Sequence, residues 1–212
     1  MPCRDLHFSL TRARKTGIIA GVSFILRGEK SMRVITGQAR GRRLLSPAGM
    51  EIRPTSEVAK EAIFSMLQNE LPGARVLDLF AGSGQLGIEA LSRGAGYCVF
   101  VDVSRQAQQV VRENLQKTGL QENASVAAMD AAAYLRGSRE RFDIALLDPP
   151  YQKGILEQVL PLCAALMRES GVIVCETERR EDPPETAGDF VRYREYRYGK
   201  AKITVYRKRE EA

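Results

Sequence analysis

Apolar residues come in short unbroken runs between Arg75 and Glu176, and each run is followed by a turn or a helix-period segment. Arg75–Leu79, Tyr97–Asp102, Ala124–Met129, Phe142–Leu147 and Gly171–Glu176 read as strands; Gln85–Arg93, Ser104 to Lys117 and Gly154–Met167 read as helices. Strands without polar alternation are covered on both faces, and their alternation with helices predicts a parallel sheet. Ser104 suits an N-cap and Gly119 a helix end. The period changes near the end of the chain. Val191–Tyr198 and Lys202–Tyr206 alternate around Gly199 and predict an antiparallel hairpin, while Pro183-Pro184 disfavours a long helix across Glu178–Gly188. Ahead of the sheet, Arg33–Thr36 and Arg42–Leu45 flank Gly37–Gly41 as a hairpin closed by Pro47 and Gly49. A helix is expected over Ser56–Glu70, capped by Thr55 or Ser56 and stopped by Pro72-Gly73. The predicted fold is a seven-stranded Rossmann-like α/β sheet with its last strand antiparallel, plus this small N-terminal hairpin and helix.

The 212 residues suffice for one domain with a full core, and 44% hydrophobic and 27% charged residues are ordinary for a globular chain. The longest apolar run, Gly17–Leu26, falls short of the ~20 residues of a membrane span. It follows Arg12, Arg14 and Lys15, as a secretory signal would, but no small-x-small cleavage site comes after it. Residues 1–31 are therefore expected to be a non-native or disordered extension upstream of a natural start at Met32. The expected organisation is residues 32–72 as hairpin and helix and residues 73–212 as the sheet domain.

Residues 1–31 account for +4 of the net charge of +6. Distribution is more informative than the total: residues 32–60 carry Arg33, Arg40, Arg42, Arg43, Arg53 and Lys60 against Glu51 and Glu57. A local basic patch of this kind suits phosphate contact, although a solvated face is the plainer reading. Cys3, Cys98, Cys163 and Cys175 lack CxxC spacing and, with three in apolar segments, read as reduced thiols of a cytoplasmic protein. The one histidine, His7, leaves little from which to build a zinc site or a histidine-activated nucleophile, so no metal is expected.

Two constellations carry candidate chemistry. The turn after the first strand runs Asp78-Leu79-Phe80-Ala81-Gly82-Ser83-Gly84, with Gly87 beyond it. Phe80, Ala81, Gly82, Ser83 and Gly84 are candidate cofactor contacts, since Gly82 and Gly84 permit close backbone approach. Asp102, at the end of the second strand, is placed to accept from both hydroxyls of a ribose. Gly82-Ser83-Gly84 with Gly87 also matches G-x-G-x-x-G, so a dinucleotide stays open. Asp78 suits an ammonium or sulfonium better than a pyrophosphate, and Asp130-Ala131 after the third strand could meet an adenine amine; both favour S-adenosylmethionine. Taken alone, Asp102 or Asp130 reads equally well as a helix or turn cap.

The second constellation is Asp148-Pro149-Pro150-Tyr151, directly after the fourth strand. An acid, a backbone carbonyl without a competing N–H, and a flat ring form a shelf for a planar amine. The lone pair of a nucleobase amine is delocalised into its ring. Asp148 and the Pro149 carbonyl can each accept one N–H and redirect that pair, while Tyr151 stacks on the base and holds it ~3–3.5 Å from a methyl donor. The attacked nitrogen becomes acidic, so Asp148 or water can take its proton. The plainer reading is a strand terminator followed by a surface tyrosine.

Asp148-Pro149-Pro150-Tyr151 resembles the Asp/Asn/Ser-Pro-Pro-aromatic signature of amino-methyltransferases. Met32–Gly37, Gly41-Arg42, Arg53-Pro54-Thr55, Lys60–Phe64, Leu77–Gly84 and Tyr198-Gly199 extend the likeness from Met32 to about Lys208, and the chain is similar to the RsmD family. That resemblance implies methylation of the guanine-966 N2 amine of bacterial 16S ribosomal RNA, in the small subunit or an assembly intermediate. It implies that Arg53 and Thr55 close over the cofactor and that Arg40, Arg42, Arg43 and Lys200 meet RNA. Lys60 stands where arginine is more usual, and residues 1–31 have no counterpart. Rival readings are an adenine-N6 or protein-amide methyltransferase, a nicotinamide-dependent oxidoreductase, and an RNA-binding assembly factor with an inert pocket.

Overall fold

The computed structural model describes residues 32–47, 57–150 and 154–209. The readings made for residues 1–31, and for Arg53, Thr55 and Tyr151, lie outside them. In chain order the elements are α1 (Glu57–Met66), β1 (Arg75–Leu79), α2 (Gln85–Ser92), β2 (Tyr97–Asp102), α3 (Arg105–Thr118), β3 (Ala124–Ala128), α4 (Ala131–Gly137), β4 (Phe142–Leu147), α5 (Ile155–Ala164), β5 (Met167–Glu178), β6 (Thr186–Ala187), β7 (Phe190–Tyr198) and β8 (Ala201–Lys208). The strands form one sheet in the order β3-β2-β1-β4-β5-β8-β7-β6. β1 to β5 are mutually parallel; β8 lies antiparallel between β5 and β7.

The sheet has eight strands, not seven. The extra one is the two-residue β6, which pairs Thr186 with Val191 and Ala187 with Phe190 and is too short to leave a periodic signal. α5 ends at Ala164, three residues short of expectation, because Phe142 N–H donates to the Leu166 carbonyl and Met167 then pairs beside Phe142 in the sheet. β5 therefore begins four residues before Gly171 and absorbs the excess in a register shift ahead of Val172. α4 was not expected. It is seven residues long, and its N-cap is Asp130, whose carboxylate accepts from Ala133 N–H at 3.0 Å. α3 begins and ends where the sequence says: Ser104 caps it, and Gly119 closes it at φ 74°.

The two faces of the sheet have separate cores. One holds Leu77, Val99, Ala145, Ile173 and Tyr206 against α4 and α5. The other holds Val76, Phe100, Leu146, Val174 and Ile203 against α1, α2, α3 and the N-terminal hairpin. Cys98, Cys163 and Cys175 are free thiols buried in these cores.

The N-terminal hairpin is held by few ladder bonds. Arg33 and Arg43 form one antiparallel bridge, and Val34 N–H and Leu44 N–H donate to the carbonyls of Arg42 and Met32. Its anchorage is α2. Glu89, fully buried, accepts from Ile35 N–H at 2.7 Å and Thr36 N–H at 3.0 Å, and it pairs with Arg93 and, at 3.8 Å, with Lys60. Lys60 also donates to the Arg33 carbonyl at 2.8 Å, while burial depresses its ammonium pKa. Ser92 Oγ accepts from Ala39 N–H and donates to the Thr36 carbonyl. Gly37 sits so close at φ 88° that a Cβ would fall 1.7 Å from the Ser92 carbonyl oxygen. Glu89→Ala would leave two hydrogen-bond donors and two cations without their acceptor. We expect it to cost about 3–5 kcal/mol of unfolding free energy in chemical denaturation, and Glu89→Gln to cost less because it retains one acceptor.

Candidate active site

A cavity of about 610 Å³ opens at the carboxyl ends of the parallel strands. Its floor is set by register. Leu79, Val101, Leu147 and Cys175 stand abreast in four adjacent strands, so the next residues along, Phe80, Asp102, Asp148 and Glu176, emerge as one row. Asp78 lies two positions below Phe80 on the same strand face, and Asp130 caps α4 at the exit of β3. Five carboxylates, those of Asp78, Asp102, Asp130, Asp148 and Glu176, thus line the cavity, and no arginine or lysine among the described residues does.

The glycine-bearing turn reaches its shape through unusual backbone. Gly82 and Gly84 take φ 54° and 76°, and Phe80 takes φ 72°, the sole non-glycine residue at positive φ among the described residues. Such a conformation costs on the order of 1–3 kcal/mol and is held by its surroundings. Here Phe80 N–H and Ala81 N–H both donate to the Val101 carbonyl at 3.0 Å. Asn114, buried in α3, locks the far side: its Nδ2 donates to the carbonyls of Ser83 and Leu45, and its Oδ1 accepts from Leu45 N–H at 2.7 Å. The turn and the hairpin therefore share one buried amide. Met32, Ser46 and Pro47 of the hairpin segment complete the cavity wall, and Ser83 Oγ donates to Met32 Sδ at 3.2 Å.

Each carboxylate has a distinct setting. Asp102 accepts from Gly82 N–H and Ser104 N–H, one on each oxygen at 2.8 Å, so it braces the turn while its remaining lone pairs face the cavity. Asp130 is exposed and is the α4 cap, the plainer of its two readings, yet it still borders the cavity with Ala131. Asp148 is half-buried, Pro149 buried and Pro150 exposed. Asp78 is buried and accepts from Gly87 N–H at 2.9 Å. Burial pushes its pKa up to about 7; the Gly87 bond opposes the rise and the Asp102 charge adds to it.

Sequence reasoning missed Glu176, which it read only as the end of a strand. The acid just past an apolar run, in register with Asp148, was the available signal. It also missed Ser46, Pro47, Val103 and Ile155 on the cavity wall. Arg40, Arg42 and Arg43 are exposed on the hairpin and Lys200 on the β7–β8 turn, so the expected basic contacts fall on two elements.

A parallel sheet ordered β3-β2-β1-β4-β5, extended by an antiparallel pair and carrying a glycine-bearing turn after β1, is the architecture of class I methyltransferases. A family model described as conserved hypothetical protein 95 matches residues 32–207. Ribosomal RNA small subunit methyltransferase D of Escherichia coli K12 is 32% identical over 185 residues, 85% of this chain and 92% of that protein. YlbH of Bacillus subtilis, named as a candidate rRNA methyltransferase, is 44% identical over 183 residues, 84% of this chain and all of that protein. The solved structure of Escherichia coli yhhF, named as a candidate methyltransferase, superposes with a TM-score of 0.76 at 32% identity, over 84% of this chain and 98% of that one. The chain belongs to the RsmD family of methyltransferases.

The raised pKa of Asp78 has a thermodynamic consequence. Below pH 3.8 the carboxyl is protonated in both folded and unfolded chains. Between there and about pH 7 the unfolded chain ionises first, so stability present at low pH is lost as the pH rises through the folded-state value. The loss amounts to about 4 kcal/mol once complete. Asp78→Asn should remove it: the difference in urea midpoint between variant and wild type, without ligand, should widen in the variant's favour from pH 4 to pH 8.

Proposed function

We propose that the protein transfers a methyl group from S-adenosylmethionine to the exocyclic N2 amine of a guanine in small-subunit ribosomal RNA, at the 966-type position. The observation that carries this reading is the acid-lined cavity that ends on Asp148-Pro149-Pro150. A dinucleotide would bring a pyrophosphate into a site with five carboxylates and no described cation, at heavy Coulombic cost. A cofactor bearing a sulfonium and an ammonium suits the same lining. Asp78 takes the ammonium side, Asp102 the ribose hydroxyls, and Asp130 with Ala131 the adenine edge; Arg53 and Thr55 are assigned to closing over the cofactor.

S-adenosylmethionine supplies an electrophilic methyl carbon, and the chain's own residues prepare the amine. Asp148 and the Pro149 carbonyl accept its two N–H groups and turn the lone pair towards the methyl; Tyr151 is assigned the stacking role. The proton that the amine nitrogen sheds on methylation would pass to Asp148 or water. Glu176 supports guanine over adenine. It stands abreast of Asp148, and a guanine offers it N1–H beside the N2 amine, whereas adenine presents an acceptor at N1. The names of the relatives direct the reading to small-subunit ribosomal RNA, a cytoplasmic substrate, and the exposed Arg40, Arg42 and Arg43 suit its phosphates.

The deciding experiment is methyl transfer to small subunits that lack the modification, followed by mapping of the modified base; a mark on adenine N6 or on protein would defeat the assignment. Asp148→Ala is expected to lower kcat at least about 100-fold, with S-adenosylhomocysteine affinity unchanged by calorimetry. NAD should give no binding heat in the same cell. Glu176→Gln should lower kcat/KM about 10- to 100-fold, the worth of one charge-assisted hydrogen bond.

A further inference from the structure

The β7–β8 hairpin, residues 190–209, holds eight Lys/Arg against one acid, Glu195, a local charge of +7 that exceeds the +6 of the whole chain. Several of these cations are spent within the fold: Arg192 and Lys202 pair with Asp182 and Glu195, Arg207 with Glu70 and Lys208 with Glu169. Arg194 and Lys200 form no ion pair among the described residues, and both are exposed. Between Arg192 and Arg194 the ladder to β8 shifts register, which makes Tyr193 the extra residue of a bulge. A bulge re-aims a side chain, and this one turns the Tyr193 ring to the α1 side of the sheet. Its ring lies 5.1 Å from the Arg194 guanidinium and 5.7 Å from that of Arg207, and it remains 54% exposed. Tyr196 and Tyr198 continue along the strand towards its carboxyl end, partly buried with part of each side chain open to solvent.

Beyond Val191 the outer edge of β7 meets no partner strand among the described residues. Charged side chains alone would protect such an edge from pairing with another chain. Protection does not call for an exposed aromatic ring beside two guanidinium groups. Rings interleaved with cations are what single-stranded nucleic acid binds, base on ring and phosphate on cation. β7 runs parallel to β4 and β5, so the stripe leads from mid-sheet to the end where the cavity opens, roughly 17 Å from Tyr193 to Tyr198 at strand rise.

We infer that Tyr193, Arg194, Tyr196, Tyr198 and Lys200 form a stacking platform for the single-stranded RNA that flanks the target base. This rests on the proposed RNA methylation and adds a second contact surface to the N-terminal hairpin. The test uses the full chain in two assays: affinity for a fluorescein-labelled single-stranded RNA oligonucleotide, and methyl transfer to undermethylated small subunits. Tyr193→Ala should weaken oligonucleotide binding and raise KM about tenfold, within the worth of one base–aromatic stack, with kcat and S-adenosylhomocysteine affinity unchanged. Tyr193→Phe, which keeps the ring, should match wild type. Arg194→Ala combined with Lys200→Ala should reduce the slope of log affinity against log salt by about 1 to 1.5. Wild-type affinity and KM in Tyr193→Ala, or a loss shared by Tyr193→Phe, would overturn the platform. A wild-type protein that binds the oligonucleotide through this stripe but transfers no methyl would instead sink the proposed function alone.

Discussion

The parallel register of β2, β1, β4 and β5 is the constraint on which the rest depends. It is fixed by apolar residues: Leu79, Val101, Leu147 and Cys175 form a buried rank, and the row after it emerges as Phe80, Asp102, Asp148 and Glu176. A slip of one position in β2, β4 or β5 would carry Asp102, Asp148 or Glu176 into the buried rank. The chemistry is therefore aligned by hydrophobic burial, and the acids need no direct bonds to one another to stand abreast.

The cavity is completed by a segment that is weakly structured in its own right. The N-terminal hairpin contributes one bridge and a handful of backbone bonds, yet Met32, Ser46 and Pro47 close the wall. Glu89, Ser92 and Asn114, all on the helices that follow β1 and β2, supply the bonds that hold it. Both helices also hold the glycine-bearing turn, so the cavity wall and the exposed Arg40, Arg42 and Arg43 hang from one polar network.

Most of the sheet was legible in the sequence because burial on both faces leaves unbroken apolar runs, and β1, β2 and β4 begin and end where those runs do. The caps Ser104 and Gly119 were legible because each is a single-residue signal with a local cause. β6 and α4 were not, since two residues carry no period and an alanine run shows neither helical nor strand alternation. The acids at strand ends were read as cofactor contacts, but Asp102 and Asp130 also serve the backbone, the duality their residue type allows. Glu176 offered the same local signal as Asp148, an acid directly after an apolar run, but its place beside Asp148 is set across the sheet by strand register. The strained Phe80 and the bulge at Tyr193 are likewise tertiary facts.

A cavity whose charged lining, among the described residues, is all acidic distinguishes molecules by charge as well as by shape. On the proposed reaction, the donor enters carrying a positive sulfur and leaves as a neutral thioether, so the field that held it slackens once its methyl is gone. On that reading, the loss of one positive charge itself favours departure of the spent molecule.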